Sequence, residues 1–308
     1  MSDAPDRDSG YVGDVQRVTW AGLVANVLLA ILKFVGGILG SSQAIVADAV
    51  HTLSDSSTDV AILIGVRYWS MPPDEEHPHG HRRIETVVTS VIALALLLVG
   101  AGLLYNALTT LRDPDADPPG WIAFAAAAVS IATKEALYQW TAAVGKRLRS
   151  SALTANAWHH RSDALSSVPA ALAVGGAALS PNWVFLDHVG AVVVSLFILQ
   201  AAWSIGRPAL GQLIDTGAPK QDRERIRRIA LATDGVKHVH ALRTRYVGHG
   251  LQVDLHIHVD GGMSVRAGHD ISRRVKRQLL NEGPDILDVV VHLEPVDDGG
   301  SSTRGQPS

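Results

Sequence analysis

Six long apolar runs follow one another along the greater part of the chain, and each ends at turn-forming or charged residues. A helix that crosses a bilayer needs about 20 mainly apolar residues, and every run is long enough. The separators are Gly-Ser, Pro-Pro, Asp-rich, basic and Ser-Pro segments, which are typical of loops. The pattern therefore predicts six transmembrane helices, at 18–39, 43–68, 84–111, 121–145, 151–179 and 184–210.

The pattern changes after these runs to one that is typical of a soluble domain. Amphipathic and alternating segments predict, in order, a helix at 222–232, strands at 236–246 and 251–260, a helix at 265–280 and a strand at 286–294. From Leu251 to Val259 the odd-numbered positions are apolar and the even-numbered ones polar, so the two sets face opposite sides of a sheet. The α-β-β-α-β order predicts a small α+β domain with its helices on one face of the sheet.

The predicted fold class is therefore an α-helical membrane protein with six transmembrane helices and a small α+β domain. The domain prediction has four parts: a cytoplasmic N-terminal tail at 1–16, the membrane domain at 17–215, a cytoplasmic domain at 216–298 and a disordered tail at 299–308. The first sixteen residues lack a basic segment followed by a short apolar core, so we expect no cleaved signal peptide.

Basic residues predict the orientation of the membrane domain. Arg82 and Arg83 follow the second run, and Lys146, Arg147 and Arg149 follow the fourth, whereas the opposite loops hold little positive charge. Because cytoplasmic loops carry an excess of Lys and Arg, both termini are predicted to face the cytoplasm. We expect an integral protein of a bacterial inner or plasma membrane.

Composition limits the chemistry. A net charge of −3 argues against a nucleic-acid partner, which would need a basic face. The chain has no cysteine, so any metal site must use His, Asp and Glu.

The most informative residues are ionisable side chains inside the apolar runs. His51 and Asp55 in the second run, and His159 and Asp163 in the fifth, are spaced by four residues, so each pair lies on one helical face. A charge at the bilayer centre costs at least about 2.5–3.5 kcal/mol, which favours a functional role. Two nitrogens and two carboxylates form a tetrahedral, zinc-type ligand set. The alternative is a polar network that only joins the helices.

Other intramembrane charges have structural interpretations. Lys33 is expected to snorkel to the outer interface. Asp48 and Asp59 have room to face a water-filled vestibule or to cap a helix end, and for these two a polar network between helices and a functional role stay open as equal alternatives. Adjacent residues on a helix do not face each other, so Lys134 and Glu135 are expected to pair with different partners, with snorkelling to the interface as the alternative.

Two further histidine-rich segments suggest metal binding outside the membrane. The loop DEEHPHGH at 74–81 is dense in imidazole and carboxylate ligands, although such loops are also found simply solvated. In the soluble domain His240, His256, His292 and Glu294 converge on one side of the predicted sheet, and His269 on a helix is a weaker candidate. Each of these histidines taken alone fits a surface position.

Two motifs give the chain a resemblance to the cation diffusion facilitator family. The segment GSSQAIVADAVHTLSD at 40–55 resembles the second span of that family, and AWHHRSDALSS at 157–167 resembles its fifth. The resemblance implies a transport site, a loop site, metal ligands in a metallochaperone-like cytoplasmic domain and a charge pair that joins the two parts across a dimer. The residues that match the transport site are His51, Asp55, His159 and Asp163, and those that match the loop site are Asp74, His77 and His81. The matching ligands of the cytoplasmic domain are His240, His256, His269, His292 and Glu294, and the matching charge pair is Arg83 with Asp215.

The function implied is export of a divalent transition metal from the cytoplasm in exchange for protons, by a homodimer in the lipid bilayer. A histidine with a pKa of about 6.5 is suited to exchanging a proton for a metal near neutral pH. The mixed His and Asp ligands favour Zn²⁺, as cargo and as bound ion; Mn²⁺, Fe²⁺, Co²⁺ and Cd²⁺ are the alternatives. An intramembrane metalloenzyme is disfavoured because the chain lacks His-Glu-x-x-His, and we predict no enzymatic activity. A sensor without transport would leave the ligands inside the spans unexplained.

Overall fold

The computed structural model describes residues 6–111, 118–148, 151–248 and 250–296, and its first part is a series of six long helices. The predicted tail at 299–308 lies outside the described residues. A short 3-10 turn at Pro181–Trp183 precedes the sixth helix. The helices are α1 (Asp6–Leu39), α2 (Gln43–Trp69), α3 (Arg83–Thr110), α4 (Trp121–Leu148), α5 (Ser151–Leu179) and α6 (Phe185–Leu213).

The first helix starts earlier than the hydrophobic pattern indicated. It begins at Asp6, so residues 6–16 extend α1 and do not form a separate tail. Each residue added to an existing helix gains a backbone hydrogen bond, so the helix continues into polar sequence that the apolar pattern does not detect.

Four of the described helical segments are long and apolar enough to cross a membrane by composition: Arg17–Leu39, Arg83–Thr110, Asn156–Leu179 and Phe185–Leu213. The helices α2 and α4 are of similar length. They contain ionisable residues, among them the buried Asp48 and Lys134, which lower their hydropathy.

Small side chains form the centre of the helical part. Ala44, Ala47, Ala170 and Ala191 are almost completely buried and pack with Val174, Val194 and Ile198. A Cβ added at Gly190 would lie 2.5 Å from the Cβ of Ala173, so only glycine fits there. Residues of this size let neighbouring helix backbones approach closely, which is how helices associate where the hydrophobic effect between them is absent. This packing brings α2, α5 and α6 together.

The C-terminal part contains two helices and a three-stranded sheet, as the sequence predicted. The second strand along the chain lies in the centre of the sheet, antiparallel to the first strand and parallel to the third. Leu251, Leu255 and Ile257 are almost fully buried beneath Ile271 and Leu279 of the second helix. The predicted helical membrane protein with a small α+β domain is therefore confirmed. The elements are α7 (Lys220–Leu231), β1 (His238–Val247), β2 (Gly250–Val259), α8 (Val265–Glu282) and β3 (Ile286–Pro295).

A bulge in β1 determines which side chains lie on the open face of this sheet. His240 pairs with His256, but the next paired residue along β1 is Arg243, opposite Asp254. Ala241, inside the bulge, has a φ of 47°. The extra residue changes the strand from even-numbered to odd-numbered side chains on the open face. Histidines therefore occupy this face on one side of the bulge, and arginines on the other.

The chain divides into two compact units, residues 1–67 with 88–206 and residues 68–87 with 207–308. The loop between α2 and α3 thus belongs to the same unit as the sheet.

Candidate metal sites

The α5 pair is the first candidate site. His159 Nδ1 lies 3.6 Å from Asp163 Oδ1, one helical turn away, as the spacing predicted. The other carboxylate oxygen, Asp163 Oδ2, forms a salt bridge with Lys134 Nζ of α4 at 2.9 Å. The Asp163 side chain is 8% exposed and that of His159 is 49% exposed. The carboxylate therefore lies between a buried ammonium group and an accessible imidazole.

Of the two predicted ligands on α2, the structure describes the side chain of His51 but not that of Asp55. The ring of His51 lies 6.4 Å from that of Phe197 on α6. Its Nδ1 is buried and has no hydrogen-bond partner within the part of the chain that the structure describes. Asp55 belongs to α2, but its side chain lies outside the described residues, as does that of Asp59. An unpartnered buried imidazole nitrogen is free to coordinate a metal.

A hydrogen bond links α2 directly to α5 next to these residues. Ser167 Oγ donates to Asp48 Oδ1 at 2.9 Å. Asp48 precedes His51 by three residues, and Ser167 follows Asp163 by four. Helices two and five of an alternating bundle run in opposite directions, and each residue advances about 1.5 Å. His51 is therefore expected at the level of Asp163, and Asp55 at that of His159.

Asp48 and Lys33 form a buried ion pair, which places Asp48 in a polar network between helices and corrects the sequence interpretation of Lys33. Lys33 Nζ lies 2.8 Å from Asp48 Oδ2, and both side chains are 0% exposed. The ammonium group also donates to the hydroxyls of Thr52 and Ser167, each at 2.9 Å. The expectation that Lys33 snorkels was wrong, because a carboxylate and two hydroxyls within reach replace the water that the ammonium would otherwise seek.

The prediction that Lys134 and Glu135 take different partners is confirmed. Lys134 pairs with Asp163, whereas Glu135 Oε2 lies 3.8 Å from Arg161 Nε. Both contacts join α4 to α5, so this helix pair is linked by two ion pairs at neighbouring positions.

The loop between α2 and α3 brings its three predicted ligands together. Asp74 Oδ1 lies 3.3 Å from His77 Nδ1, and Asp74 Oδ2 lies 3.3 Å from His81 Nε2. The two imidazole rings are 4.4 Å apart. A hydrogen bond from the backbone N–H of His77 is the main reason that the pKa of Asp74 is lowered; burial opposes this, and the charges of His81 and His77 add to the lowering. The carboxylate is therefore ionised and available to a cation.

The open face of the sheet carries the third group, centred on Glu294. Glu294 Oε1 lies 2.7 Å from His256 Nδ1, and Glu294 Oε2 lies 3.1 Å from His240 Nε2. His292 is more distant, with its Nε2 3.7 Å from Glu294 Oε1. The potential ligand atoms of His240, His256 and Glu294 all lie within 4.8 Å of one another.

His258 is a member of this group that the sequence analysis did not select. Its Nε2 lies 3.1 Å from Glu294 Oε2, and its ring lies 4.7 Å from that of His240. The alternation of β2 already placed His258 on the polar face with His256, which is the signal that could have identified it. His269 is exposed near the start of α8 and lies outside this group of ligands.

The carboxyl group of Glu294 is held in its charged form. Burial raises its pKa, but hydrogen bonds from His256 and His258 and the charges of His256 and His240 outweigh burial and lower it. Two imidazoles thus face each carboxylate oxygen, a donor set of nitrogen and oxygen that suits transition metals such as Zn²⁺.

Arg83 and Asp215 form an ion pair at the ends of α3 and α6. Arg83 donates a hydrogen bond to Asp215 Oδ1 at 2.9 Å, and both side chains are about half exposed. Asp215 has a φ of 54°, in the left-handed region, immediately after α6 ends. In the same unit Gln212 donates to the backbone carbonyl of Gly248 at 3.1 Å.

The helical bundle, its buried ionisable residues and the histidine-bearing sheet define a membrane protein of the cation efflux class. Residues 19–214 match the cation efflux transmembrane domain, and residues 218–296 match the cation efflux protein cytoplasmic domain. The chain belongs to the cation diffusion facilitator family, and it is a metal efflux transporter integral to a membrane.

Two curated relatives illustrate the similarity. The chain is 36% identical to metal tolerance protein C1 of Arabidopsis thaliana over 91% of its own length, but it spans only 62% of that protein. It is 28% identical to the manganese efflux system protein MneP of Bacillus subtilis, with 91% and 96% of the two chains covered. Among solved structures, a variant of MamM-CTD is 29% identical, covers 25% of this chain and 98% of its own, and has a TM-score of 0.25.

Proposed function

We propose that the chain exports Zn²⁺ from the cytoplasm in exchange for protons, with His51, Asp55, His159 and Asp163 as the transport site. The observation that carries the proposal is the hydrogen bond between Ser167 and Asp48, which sets α2 beside α5 next to the two ligand pairs. Two imidazoles and two carboxylates match the tetrahedral coordination that Zn²⁺ prefers.

Proton exchange follows from the ligand chemistry. Imidazole and carboxylate must lose their protons to bind a metal, so metal binding releases protons and acid releases metal. In the proposed cycle metal enters the site from the cytoplasm, with both termini on that side. It leaves when protons from a more acidic exterior occupy the histidines.

The test is zinc flux in proteoliposomes with an imposed pH gradient. His51→Ala and His159→Ala should each abolish flux, whereas Glu135→Gln should retain it, because Glu135 is an intramembrane carboxylate outside the predicted ligand set. Zinc flux at the wild-type rate in His51→Ala would refute the site. Flux that ignores the pH gradient in the wild type would refute the proton exchange alone.

Manganese is the second candidate cargo, supported by the similarity to a protein named a manganese efflux system protein. Mn²⁺ prefers more oxygen ligands than this mixture of His and Asp supplies, so we favour Zn²⁺. Flux of Zn²⁺, Mn²⁺, Fe²⁺, Co²⁺ and Cd²⁺ through the same vesicle preparation would rank them. A higher kcat/KM for Mn²⁺ than for Zn²⁺ would reverse the assignment.

We also propose that the chain works as a homodimer whose cytoplasmic metal sites regulate transport. The residues that would hold metal are Asp74, His77 and His81 on the loop, and His240, His256, His292 and Glu294 on the sheet. We add His258, because its Nε2 lies 3.1 Å from Glu294 Oε2. Metal there would be coordinated by these side chains together and would thereby stabilise the face of the sheet. The Arg83–Asp215 pair would hold α3 and α6 together at the cytoplasmic side during transport.

The regulatory role is separable from the transport role. In Glu294→Gln, zinc flux should still be measurable, but a higher concentration of cytoplasmic zinc should be needed to reach it. Crosslinking of the wild-type protein should yield a product with the mass of a dimer. Wild-type zinc dependence in that variant would refute regulation through the sheet site.

A further inference from the structure

Two buried lysines of the helical unit have different surroundings. Lys33 Nζ lies 2.8 Å from Asp48 Oδ2 and donates hydrogen bonds to the hydroxyls of Thr52 and Ser167, so its charge is paired and solvated by the protein. This group is closed to solvent and joins three helices. Its role is explained by structure alone.

Lys134 has another kind of partner. It is 1% exposed, and its Nζ donates to Asp163 Oδ2 at 2.9 Å. Asp163 is a ligand of the proposed transport site, and its second oxygen faces the accessible His159. A metal cation that binds from the His159 side would therefore contact the Asp163 carboxylate while its other oxygen remains paired with the Lys134 ammonium group.

Such a charge changes how strongly the carboxylate holds a metal. Two cations that share one carboxylate repel each other, and the repulsion is strong where water is scarce. When the site is empty, however, the ammonium group stabilises a carboxylate that would otherwise be buried without a counter-charge. The lysine thus stabilises the empty site relative to the loaded one.

We propose that Lys134 is a positioning residue of the transport site that holds Asp163 in the metal-free state and accelerates metal release by competing with the metal for this carboxylate. The proposal rests on the proposed function, since it requires Asp163 to be a transport ligand. It assigns a role in turnover to a residue on α4, a helix that supplies no predicted ligand.

The experiment measures initial zinc flux against zinc concentration in proteoliposomes for Lys134→Gln, Lys134→Arg and Glu135→Gln. Lys134→Gln should lower KM and maximal rate together, each by about tenfold, which is within the usual range for coupling between two binding events. Glu135→Gln, which neutralises the next residue on α4 and touches Arg161, should leave KM unchanged. A merely structural role for Lys134 would lower the rate without tightening KM.

Lys134→Arg keeps the proposal testable if the glutamine variant does not fold. A guanidinium group binds a carboxylate through two hydrogen bonds, so the arginine would compete with the metal for Asp163 at least as well as the lysine does. This variant should therefore raise KM or leave it unchanged. A lowered KM in Lys134→Arg, or an unchanged KM in a folded Lys134→Gln, would overturn the proposal. If either result appeared beside an inactive His51→Ala, the transport site would stand and only the role of Lys134 would fall. Full flux in His51→Ala would instead refute the transport site and this proposal with it.

Discussion

Replacing Lys33 by methionine should destabilise the protein far more than removing any exposed lysine. The substitution keeps the length of the side chain but leaves the Asp48 carboxylate without its counter-charge in a place where both side chains are 0% exposed. Asp48 would retain the hydrogen bond from Ser167, which carries no charge. Removing one partner of a buried ion pair costs about 3–5 kcal/mol, mostly because the remaining charge is not solvated.

A second replacement should reverse the loss. Lys33→Met with Asp48→Leu removes both charges, and substituting a buried ion pair by apolar residues of similar volume is neutral or stabilising by about 1–4 kcal/mol. Thr52 and Ser167 would keep acceptors for their hydroxyls, because these also reach the backbone carbonyls of Asp48 and Asp163. The double variant should therefore be at least as stable as the wild type.

The assay is equilibrium unfolding of the purified protein in mixed detergent micelles, followed by tryptophan fluorescence. Lys220→Met is the matched control, because Lys220 lies 3.8 Å from Glu224 and both are exposed. Surface pairs contribute about 0–1 kcal/mol, so this variant should unfold like the wild type. If Lys33→Met lost no more free energy of unfolding than Lys220→Met, Lys33 would not be a buried structural ion. The same would follow if Lys33→Met with Asp48→Leu were as unstable as Lys33→Met alone.

Three further predictions concern the unit that contains the sheet. Glu294→Gln should weaken zinc binding to the full-length protein in calorimetric titration by about 10–100-fold, the range seen when even a supporting group of a metal site is lost. Burial raises the pKa of Asp288, but hydrogen bonds from Lys276 and from the backbone N–H of Val289, together with the charges of Lys276 and His79, outweigh burial and lower the pKa. The ion pair with Lys276 therefore stabilises β3 above about pH 3.8, and this stabilisation is lost as pH falls further. The amide protection factors of β3 in the full-length protein, which are corrected for the intrinsic effect of pH on exchange, should therefore fall as pH drops below about 3.8, and less so in Lys276→Met. Arg83→Asp should slow zinc flux, and the exchanged pair Arg83→Asp with Asp215→Arg should restore part of it, since the two groups are 2.9 Å apart; equal flux in all three proteins would contradict a role for the pair.

The elements were predictable because their periodicities are strong. The six apolar runs end at Gly-Ser, Pro-Pro and polar segments, and the α-β-β-α-β order of the soluble part follows from alternation in β2. The start of α1 at Asp6 was not, since a polar helix carries no hydrophobic signal. The bulge at Ala241 also left no clear sequence mark, although it sets which β1 side chains face outward.

Spacing within one helix predicted local pairs but not partners on other helices. His159 and Asp163 meet because they are four residues apart. The partners of Lys33 and Lys134 depend on which helices pack together, and that depends on small residues such as Ala47 and Ala170 rather than on the charges themselves. The sequence pattern alone therefore predicted, wrongly, that Lys33 extends to the membrane interface.

The position of the two buried ion pairs along the chain has a consequence for biosynthesis. Lys33 and Asp48 lie on α1 and α2, and Lys134 and Asp163 lie on α4 and α5, so each lysine finds its acid on the next helix to be made. A lone charge entering the bilayer costs at least about 2.5–3.5 kcal/mol. Each lysine can instead enter the membrane already paired with its acid in a hairpin of two neighbouring helices, before the rest of the chain has left the ribosome.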